Sequence, residues 1–121
     1  MIRPVRVLIV DDQEPFRSAA QLVVSLVDGF EVVGEAPTGE DGVRLAAELL
    51  PDLVLMDINM PGIDGLEATR RIVSAQPAIR VLVLSTYEAG EYEPLARAAG
   101  AVGFVSKSEF GPDHLLAAWP G

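Results

Sequence analysis

Five apolar runs recur along the chain, at Val5–Val10, Phe30–Val33, Leu53–Met56, Val81–Leu84 and Ala101–Val105, each of strand length. Val7–Val10, Leu53–Met56 and Val81–Leu84 are continuous rather than alternating, as parallel strands covered on both faces require. Between the runs the apolar positions take helical spacing: Phe16, Ala20, Val23 and Val27 form one stripe, and Val43, Ala46, Ala47 and Leu50 a second. Thr38 with Asp41 three residues on resembles a capping box opening the second helix, Pro51 follows its end, and Gly100 stands where a helix stop is needed. The spacing predicts a third helix over Gly65–Ala75, a fourth around Leu95, Ala98 and Ala99, and a short fifth over Pro112–Trp119 holding Leu115 and Leu116. Gly90 and Pro94 disfavour the first turn of the fourth.

Strands alternating with helices through short connections imply right-handed crossovers and a parallel sheet between two helical layers, a doubly wound α/β domain. A length of 121 residues suits a single such domain, residues 1–121. In these sheets ligands bind beyond the carboxyl ends of the strands, so the residues just after each strand carry the chemical interest.

Composition narrows the classes. The absence of cysteine excludes disulfides, thiolate metal sites and cysteine nucleophiles, and a cytoplasmic location is the expectation. The first apolar run ends at Asp11 and Asp12, too short for a signal-peptide core or a membrane span. A net charge of -9 with no basic patch argues against direct nucleic-acid binding by this domain and against anionic membranes.

The strand ends carry Asp11 and Asp12, then Asp57, then Ser85 and Thr86, then Ser106 and Lys107. Taken singly, each has an ordinary explanation. Asp11 or Asp12 would cap the first helix, Asp57 would form a turn ahead of Asn59-Met60-Pro61-Gly62, Ser85 would cap a strand end, and Lys107 would be a solvated cation. Together they place three carboxylates at one sheet edge, where mutual repulsion raises their pKa values unless something positive sits among them. Mg²⁺ suits such a site, since it prefers carboxylate and water oxygens. Zn²⁺ does not, because cysteine is absent and the lone His114 falls in the fifth helix, where a surface position is expected. A carboxylate beside a metal can act as nucleophile toward phosphorus, with Lys107 and Ser85 available to phosphoryl oxygens.

The run Asp57-Ile58-Asn59-Met60-Pro61-Gly62-Ile63-Asp64-Gly65-Leu66-Glu67-Ala68, the Asp11-Asp12 pair and Gly103-Phe104-Val105-Ser106-Lys107 resemble the receiver domains of two-component response regulators, over Val5 to about Lys107. The resemblance implies a (βα)5 flavodoxin-like fold with strand order 2-1-3-4-5. It implies that Asp57 is the phosphoacceptor, that Asp12, Asp57 and the Asn59 backbone carbonyl bind Mg²⁺ directly, and that Asp11 acts through water. It further implies Ser85 as the switch hydroxyl, Lys107 as the phosphate-pairing lysine, Phe104 as the switch aromatic, and Asn59 and Tyr87 as positions that tune phosphoryl lifetime. A sensor histidine kinase is the implied donor, and the chain is a phosphoacceptor switch rather than a conventional enzyme. The implied contact face is the fourth helix, fifth strand and fifth helix, used for a phosphorylation-dependent homodimer or for output. The pattern resembles the branch carrying a C-terminal helix-turn-helix DNA-binding domain, so the chain is expected to be the N-terminal part of a longer transcription regulator.

Two positions depart from the family pattern. Thr86 stands where a smaller residue is frequent, and Ser108 replaces the proline that often follows the lysine. The family usually has a cis bond there; before a non-proline residue it costs about 3–4 kcal/mol, so it is expected only if placing Lys107 requires it. Trp119 is expected to pack against the first helix. Two other classes fit less well. A flavin or nucleotide module would place a phosphate-cradling loop where Asp11-Asp12-Gln13-Glu14 repels it, and an aspartate-nucleophile phosphatase would carry Asp-x-Asp after the first strand. A receiver working without phosphorylation commonly lacks an acidic residue or the lysine, and both are present here.

Overall fold

The computed structural model describes residues 3–86 and 89–120. Five strands and five helices alternate: β1 Val5–Val10, α1 Glu14–Ser25, β2 Phe30–Ala36, α2 Gly39–Leu49, β3 Leu53–Asp57, α3 Gly65–Ala75, β4 Arg80–Ser85, α4 Ala89–Ala98, β5 Gly103–Ser106 and α5 Pro112–Ala118. All pairings are parallel and the strand order is β2-β1-β3-β4-β5, as expected. No helix among the described residues is long and apolar enough to cross a membrane.

Successive residues of the continuous runs divide between two cores because side chains alternate across a strand. Leu8, Val10, Val54, Met56, Val81 and Val83 meet Ala46 of α2, Ile72 of α3 and Ala96 of α4 on one face. Val7, Ile9, Leu53, Leu55, Leu82 and Leu84 meet Ala20 and Val24 of α1 and Leu115 of α5 on the other.

Helix starts follow the local chemistry. Thr38 Oγ1 accepts from Asp41 N at 3.1 Å to open α2, and Asp64 Oδ1 accepts from Glu67 N at 2.8 Å to open α3. α1 is different: its cap residue is Gln13, which makes no side-chain cap bond, so neither Asp11 nor Asp12 serves as the cap.

The second helix is rotated from its sequence expectation. Leu45 and Leu49 pack on the core, whereas Ala47 and Leu50 are exposed. The cause is close approach: a Cβ on Gly42 would lie 2.9 Å from both Val10 methyls, and one on Gly39 2.7 Å from the Ile63 side chain, so the buried face is built from Gly39, Gly42 and Ala46. A stripe of large apolar residues cannot mark a face that only small ones can form. In α4, Gly90 and Pro94 both lie within the helix. Pro94 is exposed, so the carbonyl its missing N–H would have served can face water. Ala96 is buried there, while Leu95 and Ala98 are exposed. In α5, Leu115 is buried but Leu116 is half exposed.

Candidate functional site

The sheet gathers its chemistry at one edge. Asp11 follows β1, Asp57 ends β3, Ser85 ends β4 and Lys107 follows β5, so neighbouring parallel strands carry these groups to the same end. Carboxylate oxygens of Asp11, Asp12 and Asp57 lie within 4.8 Å of one another, and this is the one such group of potential metal ligands among the described residues. Asp11 and Asp57 are buried, at 1% and 4% exposure, while Asp12 is open to solvent.

Lys107 closes the cluster. Its Nζ stands 2.6 Å from Asp11 Oδ2 and 3.4 Å from Asp57 Oδ1, and its backbone N–H donates to the Ser85 carbonyl at 2.8 Å. Asp11 Oδ2 receives no well-angled hydrogen bond despite that short ion pair. The pair holds because charge attraction is not directional, but an acceptor lone pair stays unused. The other Asp11 oxygen accepts from Gln13 N at 2.8 Å, and the Arg17 guanidinium donates to the Asp11 carbonyl at 2.7 Å, which fixes the turn out of β1.

Three carboxylates against one ammonium leave the cluster two negative charges in excess. Asp57 responds: its carboxyl is raised from 3.8 to about 6, first by burial and then by repulsion from Asp11, while Lys107 and the Asn59 backbone N–H pull it down. A cluster of oxygen donors with surplus negative charge, one buried unused lone pair and one solvent-facing carboxylate fits a hard divalent cation.

Of the remaining expected residues, Ser85 is buried and Phe104 lies in the core beside Val83. Asn59 is exposed in the loop after β3, and Thr86 is exposed at the mouth of the site. Tyr87 lies outside the described residues. No peptide bond among the described residues is cis, so Lys107 reaches the cluster with a trans bond to Ser108. His114 is half-buried rather than at the surface: its Nδ1 accepts from Gly111 N at 3.1 Å and its ring stacks on Phe110. Trp119, expected against the first helix, lies under the Arg80 guanidinium, 5.2 Å above its ring.

Two contributors escape sequence reasoning. A Cβ on Gly65 would overlap the Asp57 carbonyl oxygen and stand 2.8 Å from the Ile58 Cα. Only glycine lets α3 start against the Asp57 backbone, with Gly65 N donating to the Ile58 carbonyl at 2.8 Å. Its signal is its place just after the Asp64 cap. Arg17 is the other, and an arginine on an amphipathic helix carries no signal of its own.

Comparisons with known proteins agree with this geometry. Residues 7–119 match the family model described as response regulator receiver domain. The chain is 44% identical over 103 residues to response regulator GacA of Pseudomonas aeruginosa, covering 85% of this chain and 48% of that protein. It is 37% identical over 114 residues to the transcriptional regulatory protein DegU of Brevibacillus brevis, covering 94% of this chain and 48% of that one. The chain thus spans about half the length of the curated relatives it matches. Among solved structures, the signal receiver domain of the response regulator NarL from Mycobacterium tuberculosis superposes with a TM-score of 0.91 at 32% identity, over 98% of each chain. Fold, strand-end carboxylates and family match agree, and this chain belongs to the receiver domain family of two-component response regulators.

Proposed function

We propose that Asp57 is the phosphoacceptor of this receiver, that the acidic cluster holds Mg²⁺, and that a sensor histidine kinase is the donor. The observation that carries the proposal is the buried Asp57 carboxylate, raised to about 6, with Asp11, Asp12 and Lys107 around it. At neutral pH such a group is ionised yet more basic than an ordinary aspartate, which strengthens it as a nucleophile. An Asp57 oxygen forms the new bond to phosphorus as the bond to the donor's leaving group breaks, and the electron pair departs with that group. Asp12, Asp57 and the Asn59 carbonyl are the direct metal ligands in this proposal, with Asp11 acting through water. When bound, Mg²⁺ supplies charge neutralisation to the phosphoryl oxygens.

Lys107 pairs with one phosphoryl oxygen as a point charge, and the Ser85 hydroxyl donates to another. The added group brings roughly two negative charges, enough to draw Ser85 and Lys107 inward from the ends of β4 and β5. Phe104, whose side chain borders a cleft of about 210 Å³ with Arg97, Val102 and His114, transmits that movement outward. Leu95 of α4, Val102 just before β5 and Leu116 of α5 are exposed, which supports this face as the contact for a second copy or an output domain. The chain serves as the N-terminal part of a longer cytoplasmic regulator whose output acts on transcription, in line with the name carried by the DegU relative.

The test is direct. The chain is incubated with Mg²⁺ and a small acyl phosphate, and intact mass is followed for the natural sequence and Asp57→Ala, with and without chelator. A phosphoryl adduct is expected only on the natural sequence with metal present; an adduct on Asp57→Ala would refute the acceptor assignment.

A further inference from the structure

The chain has a single lysine, Lys107, so the phosphoryl-facing cation has no understudy. A lysine side chain has four rotatable bonds, and here its ammonium lies nearer Asp11 than Asp57. Something must keep it from swinging out through the open side of the site. The Lys107 ammonium sits over the Phe16 ring, 4.5 Å from its centroid. Phe16 is in the first turn of α1 and half-buried, and its ring walls one side of the lysine, whose side chain is only 10% exposed.

That ring is braced from behind. Phe110 lies 6.4 Å from Phe16 at a 47° tilt, and His114 stacks on Phe110 at 6.3 Å, tying the wall to α5. An aromatic face also suits a cation that must move. Its attraction has no single donor–acceptor axis, whereas a hydrogen-bonding partner would hold the ammonium at one point.

We infer that Phe16 is a positioning residue for phosphoryl transfer: its ring holds the Lys107 ammonium against the carboxylates and lets it slide from Asp11 toward a phosphoryl group on Asp57. The inference rests on the assignment of Lys107 as the phosphate-pairing lysine. A core role alone would require only apolar volume at position 16, which leucine supplies; a role through the ring requires the π face, which tyrosine retains.

The test compares the natural chain with Phe16→Leu and Phe16→Tyr in two measurements. Isotope-labelled lysine gives one side-chain spin system, that of Lys107, whose ε-methylene protons are expected upfield under the ring. The upfield shift should persist in Phe16→Tyr and collapse in Phe16→Leu. The rate of phosphorylation by a small acyl phosphate with Mg²⁺ should fall about 3- to 30-fold in Phe16→Leu, the range a cation–π contact is worth, and stay within about 2-fold in Phe16→Tyr. Collapse of the shift with an unchanged rate would overturn the positioning role, as would equal rate losses in both variants. An unphosphorylated natural chain would instead refute the phosphoacceptor reading, and the lysine resonance would still decide the contact.

Discussion

Asp57 should weaken the fold it belongs to. Its carboxyl is raised from 3.8 to about 6, so the folded state binds this proton more tightly than the unfolded chain does. Well below pH 3.8 the group is protonated in both states and has no effect. As pH rises from about 4 to 6 the unfolded chain ionises first, and stability is lost until the folded group has ionised as well. A shift of this size corresponds to about 3 kcal/mol, a ceiling because Lys107 loses one of its two carboxylate neighbours when Asp57 is neutralised. Asp57→Asn keeps the shape and removes the charge. In chelator at pH 7.5 it is expected to be more stable than the natural chain by about 1–3 kcal/mol, and the gain should fall to about 0.5 kcal/mol or less at pH 4. Urea denaturation at both pH values, read by circular dichroism, measures the difference. If Asp57→Asn were no more stable at pH 7.5, or if the gain were the same at pH 4, the burial-and-repulsion account of this site would be wrong.

Other perturbations separate site from scaffold. Gly65→Ala places a methyl into the Asp57 carbonyl and the Ile58 backbone, neither of which can rotate away, so a loss of about 1–3 kcal/mol is expected in denaturation, with slower phosphorylation by intact mass. Mg²⁺ at a hundred times its dissociation constant should stabilise the natural chain by about 2.7 kcal/mol in a thermal melt, an effect that Asp12→Ala greatly reduces. Asp12 is exposed, so in chelator the same variant should melt within about 0.5 kcal/mol of the natural chain. Thr38→Ala removes the α2 cap bond and should lower stability by about 1 kcal/mol while the phosphorylation rate is unchanged.

The parts legible in the sequence are those where one residue type has one structural consequence. Val7–Val10, Leu53–Met56 and Val81–Leu84 are apolar on both sides, and each lies in a strand between two cores. Gly65–Ala75 coincides with α3, and Gly100, at φ 105°, provides the stop after α4. The strand-end positions of Asp11, Asp57, Ser85 and Lys107 then followed from topology alone. The α2 face was misread because its closest contact is made by Gly42, whose packing consists of having no side chain. The residues by themselves did not separate Asp11 from Asp12, since adjacent residues at a strand end differ only in which side of the turn they face; only the family resemblance gave the two different roles.

That division shapes the chemistry. Asp11 is spent inside the protein, one oxygen on the Gln13 amide and the other beside Lys107, whereas Asp12 remains open to water. A cation arriving from solvent therefore meets a hydrated carboxylate first and the buried Asp57 second. Lys107 is already engaged with Asp11, so Asp57 is left with the weaker share of the positive charge. Replacing Asp11 by asparagine should shift that share: the ammonium would move toward Asp57 and lower its pKa. Asp57 would then be less basic, and the stability gain from Asp57→Asn should shrink in the Asp11→Asn background. An undiminished gain would mean that burial alone, without Asp11, sets the Asp57 pKa.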